Sequence, residues 1–350
     1  MKSEETRRKS ALDILRIVAT ILIVFHHYQQ VIGDFPGSSI SFYSGGFYFG
    51  YMVEFFFVLS GFLMYRYVDK IKEGMKLGSF IGKRALRLLP SVFLSSLGFY
   101  LLHIVYVAIH HNSWLEVYPH WWEVIINGLG LQAGWFFNAN RLNFPLWYVS
   151  VLLLCYFWFY FLTWISKKTK IPKEAFYFTM IVIGLVLKVC LARGIIVHIP
   201  FFNGYSLRGY IAFYFGLLVA CYLRKWKRID LYLVPCISLG IFLALFFINI
   251  SVMEYAMMIF GFGIVIALFS GNWINKHLNI PAIEIIGNAT LHVYMWHMPC
   301  MLLLVIIKDG LLHNLNLNSW LCMVVFTVLL FVGSIGIELC AGHIKKRRKK

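Results

Sequence analysis

The stretch that decides the fold is ALDILRIVATILIVFHHYQQVI, residues 11–32. A helix of this length crosses the hydrocarbon core of a bilayer, which is roughly 30 Å thick. The block is longer than the apolar part of a signal peptide and lacks a convincing small-residue cleavage site. We therefore interpret it as a retained first membrane span.

Nine further apolar blocks follow the first. Each can close its backbone hydrogen bonds within itself as a helix, which the bilayer interior demands. Their approximate bounds are 46–68, 88–110, 145–166, 174–192, 207–223, 230–249, 253–270, 283–307 and 319–341. The pattern predicts an all-α, polytopic integral membrane protein with about ten transmembrane helices.

The composition agrees with a membrane protein. Of 350 residues, 60% are hydrophobic and 13% are charged, whereas soluble domains carry about 25% charged residues. This excludes an ordinary soluble enzyme and a disordered chain. The seven cysteines are scattered through apolar blocks without a CxxC pair, which favours packing over a disulfide or zinc framework.

The formal net charge of +17 has its own explanation. In a soluble protein it would suggest a nucleic-acid partner, but here the basic runs lie in alternate connections, as the positive-inside rule requires. We predict cytoplasmic termini, no nucleic-acid partner, basic tails at 1–10 and 342–350, and a transmembrane domain at 11–341. The opposite side carries few basic residues: Arg141, Arg193, Arg208 and Lys308.

The longest connection on the non-cytoplasmic side offers a weak metal hypothesis. His111, Glu116 and His120 could approach one another, but their spacing fits no strong metal-binding pattern. Trp121 and Trp122 favour an aromatic belt at the membrane interface, and a platform that stacks on sugar rings is an alternative. We predict no metal.

Ionisable side chains inside apolar blocks are costly and are candidates for function. In the first block Asp13 and Arg16 are three residues apart and can pair on a helix. Arg16 and His27 lie on one helix face, separated by a rise of about 16 Å. His27 could act as a general base, or it could only hydrogen-bond a neighbouring helix.

Other polar residues carry similar alternatives. Glu54 could orient a histidine, form a structural ion pair or lie at the membrane interface. Arg84 and Arg87 share a helix face and suit a phosphate group, although positive-inside topology with contact to lipid headgroups is the simpler explanation. His297 could line a pore or pack helices.

Several of these pieces occur in an order that resembles a known family. They are Arg16 with His27 after ten intervening residues, VEFFFVLSGFL at 53–63, Arg84 and Arg87 with Pro90, PLWY at 145–148, and YMWHMP at 294–299. Together they look like the acyltransferase 3 family of membrane O-acyltransferases, over nearly the whole chain.

The resemblance implies transfer of an acyl group, usually acetyl, from cytoplasmic acetyl-CoA to a hydroxyl of a cell-surface glycan or lipid-linked sugar. It also implies a multi-pass protein of the bacterial plasma membrane. The implied roles are catalytic for His27 and Glu54, CoA-binding for Arg16, Arg84 and Arg87, and acceptor-binding for Trp147 and His297. One departure is Leu152, at about the position where many members carry a glutamate, which leaves the acceptor class open.

Two other classes of protein fit the same residues. An exporter of a polysaccharide or lipid-linked sugar would also need polar groups inside the membrane, but we find no inverted repeats or paired broken helices. A membrane sensor or scaffold would use the same residues only to pack helices. The sequence does not define the oligomeric state.

Overall fold

The computed structural model describes residues 10–44, 48–115, 118–135, 142–195, 199–225, 251–271, 280–310 and 316–347. These ranges form helices and no strand. The helices are α1 Ser10–Ile32, α2 Met52–Met64, α3 Val68–Lys72, α4 Leu77–His110, α5 Trp121–Gly128, α6 Trp147–Thr169, α7 Lys173–Ala192, α8 Gly204–Lys225, α9 Ser251–Phe269, α10 Pro281–Gly310 and α11 Trp320–Arg347.

The structure confirms an all-α, polytopic membrane protein. Among the described residues, 8 helical segments are long and apolar enough to cross a membrane, and a shorter apolar helix covers Glu254–Phe269. Nine of the predicted blocks therefore coincide with helices. The block at 230–249 lies outside the described residues.

The third span differs from its predicted bounds. The sequence places its start at residue 88, whereas α4 begins at Leu77 and runs for 34 residues, a length of about 51 Å. A hydropathy criterion misses these first turns because they carry Lys83, Arg84 and Arg87. The arginines thus lie inside a long helix rather than in a loop at its mouth.

Two glycines set the closest helix contact in the core, between α2 and α8. A Cβ atom added at Gly216 would lie 1.9 Å from the Val58 carbonyl oxygen, and one added at Gly61 would lie 1.9 Å from the Phe213 carbonyl oxygen. Small residues allow such backbone contact between membrane helices. The contact fixes the end of α2 that borders the cavity described below.

We expect Gly216→Ala to destabilise the protein by about 1–3 kcal/mol, the usual cost of overpacking. The added methyl group meets backbone, which moves only if α2 and α8 separate. Thermal unfolding in detergent measures the effect. The matched control is Gly333→Ala in α11, where the added Cβ would meet nothing within 4 Å; equal unfolding midpoints for both variants would contradict the packing described here.

The helices define two ends of the molecule. The side at which α1, α4 and α10 begin and α2 ends is called the basic face. The opposite face is the side at which α1 and α10 end and α2, α8 and α9 begin. α10 packs on α1, α4 and α11, while α8 packs on α2, α6, α7 and α9. The helices thus form one group around α10 and one around α8, and the residues discussed below lie between the two groups.

Candidate active site

A cavity of about 270 Å³ lies at the basic face, between α1, α2, α4, α6 and α10. Five cationic side chains line it: Arg16, Arg66, Lys83, Arg84 and Arg87. The structure therefore brings together the three arginines that the resemblance assigns to CoA, and it adds two cations. We call this space the basic cavity.

Arg84 is partly buried and is held by several contacts. Its guanidinium donates to the Phe80 carbonyl oxygen at 2.5 Å and stacks over the rings of Phe80 and Tyr67, with centroid distances of 3.7 and 4.2 Å. Its Nε atom is buried and has no hydrogen-bond partner among the described residues. The other two guanidinium nitrogens have partners, since Nη1 bonds Phe80 and Nη2 lies 3.2 Å from the Met64 sulfur. The buried Nε–H without an acceptor favours an anionic ligand, because an unpaired buried donor is costly.

Arg16 enters the cavity from α1. It donates to the buried carboxylate of Asp13 at 2.9 Å, as the spacing predicted. α10 comes close here, since a Cβ atom at Gly287 would lie 2.7 Å from the Asp13 Cβ. This close approach places Asn288 and Thr290 on the cavity wall beside Arg16.

Two tyrosines form the deep end of the cavity. Their rings lie 5.5 Å apart, and both Tyr148 and Tyr294 line the space. The Tyr148 hydroxyl is 3.1 Å from the Ser60 hydroxyl, and the Tyr294 hydroxyl donates to the Pro145 carbonyl oxygen. These bonds orient the two rings, which lie between the cavity and the residues beyond it.

A histidine pair follows the tyrosines toward the opposite face. The His297 ring lies 5.7 Å from the Tyr294 ring and stacks on His27 at 5.1 Å with an interplanar angle of 27°. His297 Nδ1 is 2.6 Å from the Tyr294 carbonyl oxygen, which can only accept a hydrogen bond. His297 Nε2 is buried without a partner among the described residues.

His27 has the geometry of a proton acceptor. Its Nδ1 is 2.7 Å from Gln30 Oε1, and an amide oxygen only accepts, so Nδ1 carries the proton and Nε2 keeps a lone pair. The His27 side chain also keeps 8% exposure, against 0% for His297. Gln30, one helical turn after His27, was missed by sequence reasoning; its spacing was the available signal.

The Glu54 carboxylate bonds no histidine among the described residues, and a catalytic role for Glu54 stays a prediction. Its carboxylate accepts from Arg208, with Nε–Oε1 at 2.5 Å and a second bond at 3.0 Å, and from the Tyr255 hydroxyl at 3.2 Å. The alternative of an ion pair is the one observed. The available signal for this pair is an arginine inside an apolar block, because Arg208 lies within the block at 207–223.

Trp147 lies beside the ion pair of Glu54 and Arg208. The Arg208 guanidinium lies 4.7 Å above its ring, and the indole is 7% exposed. The ring thus holds Arg208 in place, and its contact with an acceptor stays a prediction. Leu152, at the position of the departure from the family pattern, lines the basic cavity.

The long connection after α4 carries no metal arrangement in its described part. Glu116 lies outside the described residues. The backbone amide of His120 donates to Glu123 at the start of α5, with N–Oε1 at 3.5 Å, and Trp121 and Trp122 are exposed. Across the described ranges no group of three or more His, Cys, Asp or Glu side chains could hold a metal ion.

The geometry therefore gives one line of groups through the molecule. It runs from the cations of the basic cavity to Tyr148 and Tyr294, and then to His297 and His27. A comparison with known families matches residues 9–339 to the acyltransferase 3 family, whose model is described as an acyltransferase domain. No curated protein and no solved structure matches the chain.

Proposed function

The chain belongs to the acyltransferase 3 family, and from this premise we propose that it moves an acetyl group from cytoplasmic acetyl-CoA to a hydroxyl of a surface glycan or lipid-linked sugar. The observation that carries the proposal is the line from the basic cavity to His27. It links a site for an anionic donor at one face to a proton acceptor near the other.

The basic cavity supplies the donor site. CoA carries a diphosphate and a further phosphate, and arginines bind such groups through several parallel hydrogen bonds. Arg84 offers a buried donor that lacks a partner among the described residues. A volume of about 270 Å³ suits the narrow pantetheine arm, with the nucleotide end held by the exposed Lys83 and Arg87 at the rim.

By the positive-inside rule we assign the basic face to the cytoplasm. Acetyl-CoA is made in the cytoplasm, so the donor would enter where the cations lie. The acceptor would then approach from the opposite face, where His27 ends the line. The family implies a bacterial plasma membrane, and we propose that location for this protein.

The proposed step is direct transfer. His27 Nε2 removes the proton from the acceptor hydroxyl, and the oxygen attacks the thioester carbonyl carbon. The C–S bond then breaks, and the CoA thiolate takes the proton from His27. Tyr148 and Tyr294 close the deep end of the cavity, so the proposal requires their rings to turn aside as the thioester approaches His297 and His27.

Neutralising the cavity arginines tests the donor site. We expect Arg84→Gln and Arg87→Gln each to raise the Kd for acetyl-CoA about 10- to 100-fold, the value of a hydrogen bond to a charged group. Equilibrium binding to the purified protein in detergent measures this. Arg224→Gln is the control, since Arg224 stacks on Tyr65 and is not part of the cavity lining.

Two outcomes would contradict the donor site. One is unchanged acetyl-CoA binding in both cavity variants at normal thermal stability. The other is an equal loss in Arg224→Gln, which would show a general charge effect at this face instead of a specific site.

A further inference from the structure

A second charged site lies at the opposite face, and its members come from four helices. Arg208 is four residues into α8 and Lys188 four residues before the end of α7, so both cations lie about 6 Å inside the helix ends. Glu54 lies in the first turn of α2, and Tyr255 is the fifth residue of α9. We call these four residues the Arg208 cluster.

The cluster holds more positive than negative charge. Glu54 is fully buried and uses both carboxylate oxygens on Arg208 and Tyr255. The Lys188 ammonium lies 4.2 Å from the Tyr255 ring centroid, and within the described ranges no carboxylate pairs with it. One carboxylate thus faces two cations, and a net positive charge inside a membrane protein marks a site for an anion.

Tyrosine rings connect the cluster with the histidines. Tyr51 lies 6.1 Å from Tyr255 and 5.1 Å from Tyr48, and Tyr48 lies 4.9 Å from His26. His26 in turn is 4.9 Å from His27. Tyr48 and Tyr51 are exposed, at 43% and 39%, so they offer both a ring face and a hydroxyl to a ligand.

The position of the cluster suits a phosphate at the depth of the lipid headgroups. α7 exposes Val182 and Val186 on its surface, which indicates that the helix carrying Lys188 borders the lipid. Basic residues between membrane helices bind lipid phosphates in this way. A ligand held here by its phosphate would lay its sugar along Tyr51 and Tyr48 toward His27.

We propose that the Arg208 cluster binds the phosphate of a phosphate-bearing sugar, which is the acyl acceptor. Lys188 supplies the charge that Glu54 leaves free, and Arg208 supplies further N–H groups. Two sources share this chemistry, a lipid-linked sugar phosphate and a free sugar phosphate. The role as acceptor rests on the proposed function, but phosphate binding itself does not.

Binding measurements on the purified full chain test the site. The probes are farnesyl phosphate, glucose 1-phosphate, farnesol and glucuronic acid, each with wild type, Lys188→Met and Lys188→Arg. We expect a phosphate probe to bind and Lys188→Met to weaken it about tenfold, the value of one charge-assisted contact. Lys188→Arg keeps the charge and should bind within about twofold of wild type. Lys308→Met, a lysine near the end of α10 that pairs with Asp309, is the control and should bind as wild type does.

The four probes distinguish the two possible sources of the phosphate and define the results that would overturn the proposal. If Lys188→Met weakens the binding of farnesyl phosphate alone, the acceptor is lipid-linked. If it also weakens the binding of glucose 1-phosphate, the phosphate group is sufficient for recognition. The proposal is overturned if neither phosphate probe binds, if farnesol or glucuronic acid binds as tightly, or if Arg87→Gln weakens binding and Lys188→Met does not. No acyl transfer is needed in this assay, so its failure leaves the proposed reaction intact.

Discussion

His27→Ala is expected to lower the rate of acyl transfer about 10²- to 10⁴-fold, the usual contribution of a general base. The loss should appear in kcat, because the imidazole acts on the hydroxyl proton and the basic cavity is lined without His27. The Kd for acetyl-CoA should therefore stay at the wild-type value. Acetyl transfer to a glycan fraction in detergent, with CoA release as the readout, measures the rate.

Two further variants make the result specific. His27→Asn keeps an N–H that can donate to Gln30 but cannot accept a proton at neutral pH, so it should be as inactive as His27→Ala while remaining folded. His103→Ala removes another buried histidine, which bonds Ser113 at 3.0 Å, and should retain activity. Transfer at a near-normal rate in His27→Asn would exclude His27 as the base.

Breaking the ion pair between Glu54 and Arg208 should cause a large loss of stability. Glu54 is 0% exposed and the Arg208 side chain 26%, and removing one partner of a buried pair costs about 3–5 kcal/mol. Glu54→Gln leaves the Arg208 guanidinium without its carboxylate, and Arg208→Gln leaves a buried carboxylate without its arginine. Thermal unfolding of the purified variants in detergent measures the cost.

A double variant and an exposed pair serve as comparisons. Glu54→Gln combined with Arg208→Gln should recover part of the loss, because no lone Glu54 carboxylate remains. Asp309→Asn breaks the more exposed contact with Lys308 and should cost at most about 1 kcal/mol. If Glu54→Gln unfolds no earlier than Asp309→Asn, the buried pair does not hold α2 and α8 together.

The spans were predictable because the bilayer imposes one simple requirement on every segment. The block at 11–32 and the helix Ser10–Ile32 nearly coincide, since length and hydropathy decide both. The start of α4 was not predictable from hydropathy, because its first turns carry Lys83, Arg84 and Arg87. Helix neighbours were also beyond the sequence, because the backbone contact of Gly61 and Gly216 depends on the packing of two distant segments.

The candidate site likewise contains features that the sequence predicts and features that only the fold reveals. The helical period correctly predicts that Arg16 pairs with Asp13. The stack of His27 on His297 joins residues on two different helices, and no local pattern encodes it. Arg208 and Lys188 were detectable as cations inside apolar blocks, but their convergence with Glu54 and Tyr255 requires the fold.

The most direct test of the account is the acetyl content of surface glycans, measured by NMR in cells that carry the wild-type protein, none, or His27→Ala at equal expression. The account predicts that acetyl signals disappear in both deficient strains, and the lost resonance identifies the acceptor position. Acetylation that persists in His27→Ala cells, or glycan that stays acetylated but accumulates inside cells without the protein, would contradict it, and the second result would favour an exporter.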